Sequence, residues 1–478
     1  MAQNKRETLV MKFGGTSVGT PEAIRHGLEI VRQAQKEWKH VVVVSSAFSQ
    51  VTDALYQSAV QASRGNLAIF DQTFQMLKNR HFLAVEELVH EDSLKLQTLS
   101  TITELLTLFS SLVQAISVLG EASPRALDTV VSMGERLAVT VLAAVFFDAG
   151  IKTQAVDACQ IIVTDNQFQN AAPLFNLTLA KVQTSLLPLL EAGFVPVVTG
   201  FLGATEEGIR TTLGRGGSDY SAAVLGVVLG AGEVWIWTDV NGVMTADPRL
   251  ARDAETIPVL SYREVSELAY FGAKVLHPKT IRPVVEAGIP LRVLNTFDRT
   301  KPGTLIQEQL SEKEIEISAN STIIKAVTAI KGVQLITVEG RGMLGVPGVA
   351  ARIFSAVATT GATVPLITEA SSEQSLCFAV PVEMAACVIE VLEKTLADEI
   401  IRRNIDRIWA SEEVVIVTAV CPHMRHKLGV AGKVFSALAD HEVNVLAIAH
   451  GSSEVSISLV VATQDLEITI KALHGLTR

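Results

Sequence analysis

The last third of the chain is written twice. Setting Gly348 against Gly429 keeps the two copies in register without a gap, at an offset of 81 residues. GVAARIFSAVA (348–358) then falls on GVAGKVFSALA (429–439), and SSEQSLCFAV (371–380) on SSEVSISLVV (452–461). Met343 meets Met424, Val364 meets Val445 and Ile367 meets Ile448. Each copy reads as strand, turn, helix, strand, turn, strand. Two such units pair to cover each other's sheet faces or edges. The 478-residue length allows about three domains. The expected divisions are 1–305, with a helical subdomain at about 67–120, then 321–400 and 411–478. A strand at about 321–332 could belong to the second copy.

The first 300 residues alternate between strand-like and helix-like segments. LVMKF (9–13), VVVV (41–44), FVPVV (194–198) and VWIW (234–237) are short apolar runs, each ending in small or polar residues. Runs buried on both faces and separated by helices indicate α/β architecture with a mainly parallel sheet. Ligands in such sheets sit at the carboxyl ends of the strands. The stretch 67–119 has a helical period and few glycines, so it reads as packing helices.

Composition excludes several classes. Charged residues make up 19% of the chain and apolar residues 48%, so it is not disordered. A net charge of −10 argues against nucleic acid as a partner. The longest apolar runs, about 11 residues near 137–147 and 222–232, fall short of the roughly 18 that span a bilayer. The four cysteines show no metal-ligand spacing, and the N-terminus shows no secretory or transit signal. A cytoplasmic location is expected.

One motif misleads. Gly340-Arg341-Gly342-Met343-Leu344-Gly345 satisfies GxGxxG, follows a strand and has Glu369 downstream, which is the dinucleotide pattern. The second copy has Cys421, His423 and His426 in the corresponding turn. A turn that accepts those residues in one copy is not a pyrophosphate cradle in the other. No GxxxxGK[ST] occurs, so a bound nucleotide would not be held by a P-loop.

Three glycine-rich clusters carry chemistry. KFGGTS (12–17) comes off the first strand. Gly14 and Gly15 let a backbone approach an anion, Lys12 brings a compact charge, and Thr16 and Ser17 bring hydroxyls. A plain capped turn fits the same residues. TTLGRGGSDYSAA (211–223) sets Arg215 among glycines, with Ser218 and Asp219 opening an Ala-rich helix. That is an anion site by type, although Asp219 also suits a helix cap. WTDVNGVMTADPR (237–249) could hold a base and ribose, or be only a turn. SMGERLA (132–138) adds Glu135 on a helix start, and FGAKVLHPKT (271–280) adds Lys274.

Taken in order, KFGGTSVG, SSAFSQVTD (45–53), SMGERLA, TLGRGGSDYSAA, WTDVNGVMTADPR and FGAKVLHPKT resemble the aspartokinases, a branch of the amino-acid kinase family. The twin repeats resemble ACT domains, ferredoxin-like modules that bind amino acids. The resemblance covers nearly the whole chain. It implies an amino-acid kinase fold and ATP-dependent phosphorylation of the side-chain carboxylate of L-aspartate, with Mg²⁺. That is the entry step toward lysine, threonine and methionine. By position, Lys12 would stabilise the transferring phosphoryl group, and Gly14, Gly15, Thr16 and Ser17 would line the phosphate loop. Glu135 would hold the α-amino group of aspartate and Arg215 its α-carboxylate, with Ser45 and Thr52 nearby. Gly217, Ser218 and Asp219 would lie near the phosphoryl group, Asp219 organising Lys12. Thr238, Asp239, Asp247, Arg249 and Lys274 would contact the nucleotide.

The resemblance also implies an effector site where the ACT units meet, here at Met343, Gly345, Gly348, Val364, Ile367, Glu369 and His450. Relatives often carry Gln where this chain has Glu369 and His450, and lysine-sensitive ones an Asp where it has Pro365. Lysine and threonine both stay open. The repeat pair looks most like the kinase half of aspartokinase–homoserine dehydrogenases, which leans toward threonine; no dehydrogenase half is expected. A homodimer or larger assembly through the ACT units is expected. The alternatives are another amino-acid kinase, or an ACT-type sensor with a silent kinase half.

Overall fold

The computed structural model describes residues 6–272, 276–308, 323–343, 348–369, 375–421, 424, 427–450 and 455–477. Two compact units result. The first holds residues up to 243, 258–262 and 276–309; the second holds 244–257, 263–275 and the rest. Two segments within the expected 1–305 division therefore group with the repeats.

Unit 1 is built on eight strands: β1 (Arg6–Phe13), β2 (Trp38–Ser45), β3 (Thr153–Val156), β4 (Val195–Thr199), β7 (Glu233–Thr238), β8 (Val259–Ser261), β9 (Leu291–Asn295) and β10 (Thr304–Gln307). A two-stranded pair, β5 (Leu202–Ala204) and β6 (Arg210–Thr212), stands apart. The sheet order is β3-β4-β2-β1-β7-β9-β10-β8, and every neighbouring pair is parallel except β9 with β10. Leu9, Val10 and Met11 are wholly buried, as are Val42, Val43 and Val44. Each such side chain contributes about 1.5–3 kcal/mol by leaving water, which is why these runs occupy the sheet centre. Parallel pairing brings the ends of β1, β2, β4 and β7 to one edge.

The helical stretch is the packed pair Ala68–Leu88 and Asp92–Leu119. Asp92–Leu119, and the stretch Pro124–Asp148, are each long and apolar enough to cross a membrane by length and composition. Asp92–Leu119 exceeds the runs counted along the sequence, because hydroxyl residues interrupt the apolar ones without costing the helix. Thr98, Thr103 and Thr107 donate back to carbonyls four residues earlier. Both carry residues of the unit 1 core, Ile102, Leu106 and Phe109 from one and Leu137, Val141 and Leu142 from the other.

Unit 2 is one six-stranded antiparallel sheet, β12-β13-β11-β14-β16-β15, with β11 (Ala326–Glu339), β12 (Ile367–Glu369), β13 (Ser375–Pro381), β14 (Arg407–Val420), β15 (Ala447–Ala449) and β16 (Ser456–Ala462). The repeats join through their long first strands, β11 and β14. Their matching helices are Val349–Thr359 and Val430–Ala439. Gly348 and Gly429, the pair that set the register, enter those helices at φ +85° and +81°, a conformation that favours glycine. A second helix follows in each copy, Val382–Thr395 and Leu466–His474, so the unit is βαββα. Ile336 and Val338 sit in the first repeat's core, while Ile324 and Val327 lie in the second's with Ala246 and Ala251. His474 anchors that last segment, bonding Thr245 at 2.9 Å and approaching Asp253 at 3.5 Å.

Candidate active site

The carboxyl edge of the sheet is stitched before any side chain reaches solvent. Gly14 donates to the Trp237 carbonyl, Ser46 to the Phe13 carbonyl and Gly200 to the Ser45 carbonyl. These bonds join the ends of β1, β2, β4 and β7 into one rim. A cavity of about 520 Å³ opens there. Its walls include Lys12, Thr52, Glu135, Arg215, Gly217, Ser218 and Asp219. Residues from four motifs, more than 200 positions apart in sequence, thus share one cavity.

Lys12, one residue before the end of β1, meets Asp219 at 2.7 Å, with both side chains largely buried. Asp219 stands in the first turn of the helix Gly217–Val228. That turn needs its glycine: a Cβ at Gly217 would lie 2.5 Å from the Phe201 ring. Gly15 serves the other side, where a Cβ would lie 2.9 Å from the Ala47 carbonyl.

Glu135 is 3% exposed, in the first turn of the helix Met133–Asp148. Its Oε1 accepts from the Ala47 amide at 3.1 Å, and among the described residues Oε2 has no partner. Burial pushes the carboxyl up to about 8, against the opposing Ala47 bond. A buried carboxylate oxygen left over beside a cavity is a receptor for a cation. Arg215 lies exposed on the rim.

Several expected residues are not among those lining the cavity. Ser17 is fully buried; its hydroxyl donates to the Trp237 carbonyl at 3.2 Å and accepts from Thr296 at 2.7 Å. It pins the glycine turn from beneath and does not line it. Ser45 is also fully buried, its hydroxyl on the Ser46 carbonyl, and the neighbouring Ser46 lines the cavity. Thr16 is exposed on the turn. Thr238 donates to Asp239 at 3.2 Å at the end of β7. Asp247 and Arg249 fall in unit 2, where the guanidinium donates to both carboxylate oxygens, at 2.7 and 3.0 Å. Lys274 and Gly345 lie outside the described residues.

In unit 2, Met343 is buried in the first repeat's core, and Val364 packs against that core. Gly348 caps its helix, Ile367 and His450 are exposed, and Glu369 ends β12. The sheet curls so that its two edges, β12 and β15, approach each other. That brings the segments carrying Ile367 and Glu369 close to the one leading into His450.

Sequence reasoning missed part of the cavity wall. Asp53 and Tyr56 share the Thr52 face of the helix Val51–Ala62 at helical spacing. Asp128 stands seven residues before Glu135, on the preceding helix Pro124–Val131. It is fully buried and accepts from the Gln169 amide, the Thr212 amide and the Thr212 hydroxyl at 2.8–3.0 Å. Burial raises its carboxyl above the usual range despite those bonds.

Comparison with known proteins gives the family. The amino acid kinase family profile matches residues 7–295, and the ACT domain profile matches 336–396 and 417–475. A chloroplastic bifunctional aspartokinase/homoserine dehydrogenase of Daucus carota is 37% identical over 98% of this chain and 50% of its own length. The chain therefore spans about half the length of the bifunctional relatives it matches. Aspartokinase 1 of Arabidopsis thaliana, also chloroplastic, is 31% identical over 98% of this chain and 79% of its own. E. coli aspartokinase III with aspartate and ADP superposes with a TM-score of 0.80 at 28% identity, covering 98% of this chain and 99% of that one. Its lysine and aspartate complex gives 0.76 at 29%, covering 98% and 100%. The chain belongs to the amino acid kinase family, and within it to the ACT-bearing aspartokinases.

Proposed function

We propose that the protein transfers the γ-phosphoryl group of ATP to the side-chain carboxylate of L-aspartate, giving ADP and 4-phospho-L-aspartate. One observation carries the reading: the Lys12–Asp219 pair and the unpartnered Glu135 oxygen face the same cavity. In this assignment Glu135 takes the α-ammonium of aspartate and Arg215 its α-carboxylate. Thr52 and Ser218 flank the substrate. Lys12, held by Asp219, faces the phosphoryl group, with Gly14, Gly15, Thr16 and Gly217 backing the phosphates. Thr238 and Asp239 meet the nucleotide.

The chemistry needs no general base, because a carboxylate with a reference pKa near 4 is already ionised at neutral pH. The work is alignment and charge compensation. Among the described residues no cluster of three acidic, histidine or cysteine side chains could hold a metal ion. On this reading Mg²⁺ would arrive on the nucleotide phosphates, where it would offset their charge.

Hydroxylamine trapping tests the reading. Enzyme, ATP and L-aspartate should yield aspartyl hydroxamate, while glutamate and N-acetylglutamate should not; no hydroxamate from aspartate rejects it. Titrating the same assay with threonine and lysine identifies the effector, for which the likeness to bifunctional relatives favours threonine. Exposed Ile367, Leu446 and Ile448 at the sheet edges support association through the ACT units as a homodimer or larger assembly.

A further inference from the structure

The glycine turn and the acceptor loop are joined by a side chain that neither motif contains. Arg80 comes from the helix Ala68–Leu88, part of the stretch that reads from sequence as mostly packing. Its Nη1 donates to the Ser49 carbonyl at 2.7 Å and its Nη2 to the Gly19 carbonyl at 3.0 Å. Ser49 belongs to the loop that follows β2, and Gly19 closes the turn that follows β1. The guanidinium lies 5.7 Å from the centre of the Phe48 ring, and His81 stacks on the same ring at 4.4 Å and 14°. His81 donates from Nδ1 to the Leu77 carbonyl, and burial holds it neutral at ordinary pH, which suits a stacking partner.

The loop needs such a hold. Gln50 sits at φ +69°, a left-handed conformation that a non-glycine residue adopts only under constraint. The helix Val51–Ala62, which brings Thr52 to the cavity, starts directly after it. The Ser49 amide already bonds the Gly15 carbonyl at 3.0 Å, so Arg80 closes a ring of contacts around the two loops. Among the described residues no carboxylate pairs with Arg80. Its fork spans two carbonyls, a task a lysine ammonium cannot repeat with the same geometry.

We infer that Arg80 is a positioning residue for phosphoryl transfer, fixing the phosphate-side turn against the acceptor-side loop. The inference rests on the proposed reading of the cavity. Misplacing reacting groups by about 1 Å costs on the order of 100-fold in rate. Arg80→Lys and Arg80→Ala should therefore lose about tenfold or more in kcat, while KM for ATP and aspartate moves less than about threefold. The ratio of ADP to hydroxamate should rise, because water then attacks the γ-phosphoryl group when the carboxylate is misaligned, giving ADP and inorganic phosphate. Millimolar guanidinium should restore turnover to Arg80→Ala and not to Arg80→Lys. Lys78→Ala, an exposed change on the same helix, should behave as the parent. A kcat within about twofold of the parent overturns the inference. So does a loss with an unchanged product ratio and no guanidinium rescue, which marks a merely structural role. If the parent enzyme itself makes no hydroxamate, the reading of the cavity fails instead, whatever Arg80 does.

Discussion

Aspartate binding should release a proton, and Glu135 is the reason. Burial holds its carboxyl at about 8 in the free site, so at pH 7 about nine-tenths of molecules carry it neutral. An α-ammonium group against Oε2 favours the carboxylate, so binding must expel that proton. At pH 7 about 0.9 proton should leave per aspartate bound. The same equilibrium weakens binding by a factor of about 11 at pH 7, or ~1.4 kcal/mol, but only about twofold at pH 8. Affinity should thus rise about fivefold from pH 7 to pH 8, and about tenfold from pH 6 to pH 7. Calorimetry of aspartate binding at one pH, in buffers of low and high ionisation enthalpy, counts the protons directly. Glu135→Gln should bind more weakly and release none. Proton release near zero at pH 7, or a dissociation constant flat between pH 6 and 8, would falsify the reasoning. The sign for folding runs the other way. A folded pKa above the unfolded one contributes stability present below about 4.5 and lost as pH rises through about 8. Without substrate, Glu135→Gln should melt higher than the parent at pH 8, and the gap should shrink toward pH 5.

Lys12→Ala should lower kcat by at least ~100-fold, the scale of losing an oriented charge; near-normal turnover in steady-state assays would remove Lys12 from the chemistry. Asp128→Ala strips the acceptor from the Gln169 and Thr212 amides, which both donate to one carboxylate oxygen. It should cost about 1–3 kcal/mol of stability in denaturant titrations and raise KM for aspartate, since Thr212 leads into the loop of Arg215. Gly217→Ala must displace Phe201, and kinetics should show lower kcat as Ser218 and Asp219 shift; an unchanged kcat would mean that helix start is slack.

What was legible in the sequence was whatever depends on local pattern. The valines of β2 and the run of β1 read as doubly buried strands because burial there is a property of consecutive residues. The repeat read correctly down to Gly348 and Gly429, because a left-handed helix entry demands the same residue twice. Contacts across distance were not legible. Ser17 and Ser45 lie in the right motifs, yet their hydroxyls turn inward, since which face of a turn is solvated depends on Thr296 and on the Ser46 carbonyl. Asp128 and Arg80 carry no motif at all; they matter through partners 84 and 61 residues away. The segment 244–257 lies inside the expected 1–305 division, but the apolar Ala246 and Ala251 find their core in the second repeat.

The cavity's own charge sharpens the problem set by a chain of net charge −10. Two cations, Lys12 and Arg215, face four carboxylates, Asp53, Asp128, Glu135 and Asp219. Fully ionised, that wall would carry −2, while the proposed reaction brings it two anionic substrates. The structure lessens the conflict in a definite order. Burial pushes the Glu135 carboxyl up to about 8, so on the proposed reading its charge would appear only with the ammonium group that meets it. Asp219 is spoken for by Lys12 at 2.7 Å, and Asp128 by three donors. Repulsion between wall and phosphates is then left to Asp53, exposed at the mouth, where water screens it. On the proposed reading, the ammonium group of aspartate completes the pair that Glu135 leaves open, and selection of a second carboxylate falls to the two cations of the wall, Lys12 and Arg215.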